Sequence, residues 1–439
     1  MPFWALMSFT VVLLLSPQTF LPELARLRIA LLTGGLAVAA HCWTQVTHRR
    51  PLIRFTREVW IAVVLLGWAA LSLPLSTAVG GDSQAQSPGA GSDAPLVLTE
   101  LSSGPVPTPQ ALRSLFPRSM LVFWLLGSTI TTLDRLRTAV WGLSLMATPL
   151  AATGVVNLIL KRMIAGRIVG FCDPPALCAA LTGDPGDLAL MLNLILPLMA
   201  ALLRVTRRPA ARGLLIGLMV LNAAAIVATF SRTGFVTLLV SLALSLRALP
   251  RKRAWKWVAA ALVLALVAVP LLPSGYVDRL ATIAHVAGDP TGSSQERARD
   301  MQIAMEFALS HPLVGAGLGN NILVLNQLRG PMWQPVHNVY LEYAVDLGWP
   351  GLALFILLLG GCLRHAGRIA RRSGGDPALH ELSALAGGIW ISLVAFTVSA
   401  LAYPVAYHLY FYYFAGLAVA VGAVYEAGLP TPALTAAPR

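Results

Sequence analysis

Two kinds of residue in this chain could do chemistry at a membrane boundary: one histidine and a small set of arginines. His337 is followed by Asn338 at the head of the stretch "PVHNVYLEYAVDLGWPGLALFILLL" (335–359), which carries Glu342 and Asp346 and then becomes wholly apolar. An imidazole with an ordinary pKa of about 6.5 is largely neutral near pH 7 and able to take a proton. Taken alone, His337 reads two ways, as a capping or interfacial side chain or as a general base at the level of a lipid headgroup. The arginines are Arg167 in "KRMIAGRIVGF", Arg232 in the tight turn "TFSRTGF", and Arg279 and Arg297 in a long polar segment. Arg232 is bracketed by apolar residues, so its guanidinium needs an anionic partner or water. Arginine at an interface can simply snorkel to water or lipid phosphate, and Lys161, Arg162, Arg299 and Arg329 are read that way. Arg167, Arg232, Arg279 and Arg297 jointly suggest an anion site. The planar guanidinium fork bonds phosphate bidentately, so a lipid phosphate or diphosphate is the fitting ligand.

The neighbours of His337 carry open alternatives. Asn338 either supports the histidine or sugar, or caps the helix that follows. Glu342 and Asp346 lie one and two turns into that helix, lining the site or, preferably, bonding inside the bundle. Gly348 and Gly351 permit close helix approach or a break beside Pro350. Tyr407, Tyr410, Tyr412 and Tyr413 in "AYPVAYHLYFYYF" form an aromatic group, read first as membrane-interface anchors and second as a stacking surface.

The elements that must position these groups are membrane spans. The 439 residues are 56% hydrophobic and 12% charged, with mean hydropathy +0.71. A soluble domain carries about 25% charged residues. Long continuous apolar runs recur along the chain, arguing for helices over a β-barrel. About twelve spans are expected, near 3–20, 27–47, 59–78, 114–133, 138–160, 188–203, 213–230, 233–248, 257–273, 338–362, 382–403 and 405–425. The N-terminal run lacks a basic start and a small-residue cleavage site, so it is expected to be a retained span.

The net charge of +13 invites a nucleic-acid reading, but topology accounts for it. "HRRPLIRFTR", "DRLR", "RVTRRPAAR", "RALPRKRAWK" and "RHAGRIARR" all fall between spans on one side, which makes that side and both termini cytoplasmic. No nucleic-acid partner is expected. On the other side lie a Ser/Gly/Pro-rich segment, 79–112, expected to be a mobile loop, and a longer segment, 274–337. In the latter, Ser293 and Glu296 fit a capping box, and an apolar stripe runs through Met301, Ala304, Phe307 and Ala308. Pro312 should end that helix, and "LVGAGLGN" gives a glycine-rich turn. An ordered loop of this length points to function. The four cysteines show no metal or disulfide spacing.

The pattern His337-Asn338, nine residues, Gly348, two residues, Gly351 resembles the signature of bacterial O-antigen ligases. "RLATI" (279–283), the segment 293–319, "FSRTGF" (230–235) and the run 166–198 resemble further family regions in the same order, with Gly186 where asparagine is common. The resemblance covers roughly 160–360 by motif and the whole chain by topology. It implies an all-α polytopic fold of the membrane-integral glycosyltransferase (GT-C-like) class, a single integral membrane domain over 1–439, with the 274–337 loop carrying part of a periplasm-facing site. It implies residence in the bacterial inner membrane. The donor would be O-antigen polysaccharide on undecaprenyl diphosphate and the acceptor a sugar hydroxyl of the lipid A core, with no metal or other cofactor. His337 would then be the general base and Arg232, Arg279, Arg297 and Arg167 the diphosphate ligands, with Asn338, Gly348 and Gly351 in support.

The nearest alternatives are an O-antigen polymerase using the same donor and a protein O-oligosaccharyltransferase. A lipid or glycan transporter, from a different class, would place polar groups at mid-span and break helices in paired halves. Here the polar groups concentrate at one face. Neither the glycan nor the oligomeric state is legible.

Overall fold

The computed structural model describes residues 1–15, 17, 27–49, 51–52, 54–76, 109–160, 185–249, 255–256, 259, 293–330 and 334–428. Every regular element among the described residues is helical. In chain order these are α1 Pro2–Leu15, α2 Ile29–Thr47, α3 Arg57–Leu75, α4 Pro109–Thr129, α5 Leu133–Ile159, α6 Pro185–Val205 and α7 Pro209–Ala228. They continue with α8 Arg232–Arg247, α9 Ser293–Ser310, α10 Asn321–Arg329, α11 Val339–Arg372, α12 His380–Ser399 and α13 Leu409–Gly428. Of these, α2, α3, α5, α6, α7, α11, α12 and α13 are long and apolar enough to cross a bilayer. The chain is therefore a polytopic membrane protein. Helices α1, α4 and α8 coincide with three more expected spans, but α1 and α8 have only 14 and 16 residues and α4 carries Arg113 and Arg118. The expected span 257–273 lies outside the described helices.

Local signals account for the helix starts. Thr56, Thr132 and Ser231 cap α3, α5 and α8, each accepting a bond from an amide of the first turn. Pro209 opens α7, where its missing N–H costs nothing.

Packing divides the helices into a centre and a rim. α6 and α13 are buried almost all round, whereas α2, α3 and α7 turn large apolar side chains such as Leu32, Trp60 and Leu214 outward, as a lipid-facing helix must. The central contacts rest on small residues. Gly388 of α12 meets the Pro197 carbonyl of α6, and Gly416 of α13 meets the Phe123 carbonyl of α4. Ser392 adds a bond to the Leu194 carbonyl at 2.6 Å.

Two expected boundaries move. The segment "RHAGRIARR" (364–372), read as a loop, is the last part of α11. Ala366, Gly367 and Ile369 are buried there, Gly367 lies against Trp390, and Ser383 bonds the Ala370 carbonyl at 2.7 Å, so α12 holds the extension. The turn back is made instead by two short 3-10 turns, Ser373–Gly375 and Pro377–Leu379. Residues 109–112, expected in the 79–112 loop, are the first turn of α4, with Ala111 and Leu112 buried; the rest of that loop lies outside the described residues.

Candidate active site

The segment that carries His337 is built around a break in α11. Gly348 takes φ +67 and ψ −175, a conformation open only to glycine, and the helix resumes on a new axis before Pro350. Such a break strands backbone groups, and three carbonyls and one N–H beside it are met from outside the helix. Ala316 N–H donates to the Val345 carbonyl at 2.7 Å and Gly317 N–H to the Asp346 carbonyl at 2.8 Å. Trp68 Nε1 of α3 donates to the Leu347 carbonyl at 2.9 Å, and the Trp349 N–H donates to the Pro312 carbonyl at 2.8 Å. The glycine-rich stretch after Pro312 is thus an inlay that completes the broken helix. Gly315 is required there because a Cβ would stand 2.3 Å from the Val345 carbonyl oxygen.

Asp346 locks this inlay. Its fully buried carboxyl accepts from Gly319 N at 3.1 Å, Asn321 N at 2.6 Å, Asn321 Nδ2 at 2.8 Å and Tyr407 Oη at 2.8 Å. Four donors and no acceptor face it, the environment of a carboxylate. It also sits at the N-terminus of α10, where negative charge is favoured. Burial, then the charge of Asp346, raises the Tyr407 pKa well above its ordinary value, so Tyr407 stays a donor. Glu342, one turn earlier, accepts from Ala406 N at 3.0 Å. Both carboxylates therefore bond inside the protein, as preferred from sequence.

The tyrosine group corrects an expectation. Tyr407, Tyr410, Tyr412 and Tyr413 are buried, not anchored at an interface. Tyr412 pairs with Tyr343, and Tyr413 lies 3.2 Å from the Thr10 hydroxyl. The reason is that α13 is a central helix with no lipid-facing side. From sequence, an aromatic run near a span end looks the same on a rim helix as on a central one.

His337 and Asn338 stand at the N-terminus of α11, both half-buried. Asn338 is the N-cap, its Oδ1 accepting from Tyr340 N at 2.9 Å and Leu341 N at 3.1 Å. Its Nδ2 reaches the Leu401 carbonyl at 3.3 Å, and Val339 N–H donates to the Ala400 carbonyl at 2.8 Å. The turn after α12 is therefore tied to the histidine segment. The same turn is tied to the segment of Arg232. Ser231 Oγ lies 2.7 Å from Tyr403 Oη, and Thr237 Oγ1 lies 2.9 Å from Ser399 Oγ. His337 and Arg232 thus each adjoin a residue bonded to the turn 399–403. The positive ends of α8 and α11 come to that turn, a setting that favours an anion. Just before Ser231, the buried Phe230 takes φ +56, a strained conformation for an aromatic residue.

Arg297 lies in α9, half-buried. α9 is laid along the first turns of α11 by Ala304, Phe307 and Ala308 against Leu341, Ala344 and Val345, the stripe expected from sequence. Asp300 of α9 pairs with Arg329 of α10 at 2.6 Å with both side chains buried, so Arg329 is structural. Arg167 and Arg279 lie outside the described residues, as does the side chain of Ser293. Gly351 sits just beyond the break, where a Cβ would stand 2.2 Å from that of Leu347.

Sequence reasoning missed two supports of the inlay. Arg113 in the first turns of α4 donates to the Leu318 carbonyl at 3.1 Å and to Asn320 Oδ1 at 2.8 Å. Trp68 was one tryptophan among 11. An arginine near the start of a largely apolar helix, with Arg118 one turn and a half on, was the available signal for Arg113.

Residues 188–356 match the family model described as O-antigen ligase. No curated protein matches the chain significantly. The matched span begins in α6, takes in the strained turn before Arg232 and the inlay, and ends just past the break in α11. By that match, residues 188–356 are similar to the O-antigen ligase family, which supports lipid-linked glycan transfer of the ligase or polymerase type in general.

Proposed function

We propose that this protein transfers O-antigen polysaccharide from undecaprenyl diphosphate to a sugar hydroxyl of the lipid A core in the outer leaflet of the bacterial inner membrane, completing lipopolysaccharide. His337 takes the proton of the acceptor hydroxyl. The freed oxygen attacks the anomeric carbon, the bond from that carbon to the diphosphate oxygen breaks, and undecaprenyl diphosphate leaves with the electron pair, inverting the centre. Arg232, Arg297, Arg279 and Arg167 hold the diphosphate and stabilise the charge that grows on the bridging oxygen as it departs. The arginines supply the charge that a divalent metal supplies elsewhere. The observation that carries this reading is the shared turn 399–403, bonded on one side through Asn338 beside His337 and on the other through Ser231 beside Arg232.

The test is the lipopolysaccharide ladder of a deletion strain complemented with wild type or His337→Ala. A bare core, polymer accumulating on undecaprenyl diphosphate and no rescue by His337→Ala are expected. Single repeat units on the core would mean that chain growth, not ligation, was lost, and the enzyme would be the polymerase. Full rescue by His337→Ala would remove the histidine from the mechanism.

A further inference from the structure

The opposite end of the bundle holds a built cavity. His365 lies on α11 some 27 residues beyond Asn338, roughly 40 Å along a helix at 1.5 Å per residue. Around it, the start of α3, the end of α4, α11 and the end of α13 enclose about 730 Å³. Four arginines line this space: Arg54, Arg57, Arg364 and Arg368. Two carboxylates, Glu58 and Glu426, face them. The arginines are exposed, and among the described residues none of the four is in an ion pair. Glu58 is buried, with its Oε1 3.9 Å from His365 Nδ1. A further donor in the lining, Trp124 Nε1, is buried with no hydrogen-bond partner among the described residues, as is His365 Nε2, a donor or an acceptor according to its tautomer. A buried donor left unpaired costs about 1–3 kcal/mol, so the cavity is short of acceptors.

The cavity also has an apolar opening. Phe55 and Leu357 in its lining are 57% and 46% exposed, and they continue into the exposed Trp60, Val64 and Ile356 on the outer faces of α3 and α11. A soluble anion needs no such wall, whereas acyl chains do. We propose that this cavity binds the phosphate headgroup of an anionic phospholipid, with its chains laid along α3 and α11. Arginine forks grip the phosphate oxygens, and basic pockets between spans are suited to such headgroups. The occupied site would clamp α3 to α11, the two helices whose far ends carry Trp68 and the break at Gly348. It is independent of the transfer reaction assigned to the other end.

The experiment is native mass spectrometry of the purified full-length protein titrated with phosphatidylglycerol or phosphatidylethanolamine. Phosphatidylglycerol should be retained and phosphatidylethanolamine lost. The double variant Arg364→Gln/Arg368→Gln should weaken retention about 25-fold, from about fivefold per arginine. Trp124→Phe, which keeps the ring and removes the N–H, should weaken it severalfold. Arg207→Gln/Arg208→Gln, on a neighbouring basic cavity at the same end, should leave it unchanged. Equal retention of the two lipids, or undiminished retention in both the double variant and Trp124→Phe, overturns the proposal. Displacement of phosphatidylglycerol by millimolar inorganic phosphate overturns it in favour of a soluble anion. If the double variant proves misfolded by gel filtration, Trp124→Phe decides.

Discussion

Asp346→Asn is the substitution whose cost follows most directly from the structure. The side chain keeps its shape and loses its charge. In the native protein Oδ2 accepts from three donors, Gly319 N, Asn321 Nδ2 and Tyr407 Oη, and Oδ1 accepts from Asn321 N. Asparagine must turn an NH2 toward one of these positions. The best choice places it at Oδ1, setting an N–H against the Asn321 N–H and keeping three bonds that are no longer charge-assisted. One buried donor left facing another costs about 1–3 kcal/mol, and the weakening of the remaining bonds adds about 1 kcal/mol. We expect a total near 3 kcal/mol, a fall of about 3 °C in apparent Tm. The loss should be local first, since Asp346 joins the inlay and α10 to α11. Hydrogen exchange in detergent should show lost protection over 311–330, with α6 and α12 unchanged. Asp346→Ala should cost more than Asn, because all four donors lose their acceptor. Wild-type stability and protection in Asp346→Asn, or an alanine variant no worse than the asparagine one, would refute this account of the lock.

Other substitutions test neighbouring parts of the argument. Gly348→Ala places a Cβ 2.4 Å from the Leu313 carbonyl oxygen in a conformation closed to alanine, so loss of folded protein or of at least ~3 kcal/mol is expected; normal yield and Tm would show that the break is not required. Asn338→Asp keeps the cap while Asn338→Ala removes it, so only alanine should lower stability by about 1 kcal/mol; equal Tm values in circular-dichroism melts would contradict the capping role. Arg113→Lys keeps the charge but loses the two-pronged reach to Leu318 and Asn320, and a loss of about 1–2 kcal/mol should appear in thermal unfolding; a wild-type melt would mean the arginine is not a clamp. Tyr407→Phe removes one of the four bonds to Asp346 and should cost about 1 kcal/mol, less than Asp346→Asn; the reverse order in the same melts would count against Asp346 as the centre.

Much of the architecture could be read from the chain because a bilayer constrains it so strongly. Apolar runs of span length, with arginine on alternate loops, leave little freedom in where helices lie. The break near Pro350 was one of two readings of "GWPG", the other being close helix approach, and the φ of +67 at Gly348 decides for the break. The amphipathic helix of the long loop was visible in its apolar stripe, because a helix lying on a bundle must bury one face. The helical extension over 364–372 was not visible: arginine-rich sequence marks a membrane edge equally well as loop or as helix end, and contact with Trp390 and Ser383 made the difference.

The sequence by itself determined a helical membrane protein with a stretch similar to O-antigen ligases and a histidine at a span mouth, because composition, period and motif order are properties of the chain. Only the tertiary structure decided what its polar residues do. Asp346 became a lock and not a site acid because the inlay brings three amide-type N–H donors and Tyr407 to it. The tyrosines became core because α13 is central. Arg113 and Trp68 became supports because α3 and α4 meet a turn more than two hundred residues away in sequence. Periodicity shows that a residue is on a helix, but whether its partner is lipid, water or another part of the chain depends on which helices become neighbours.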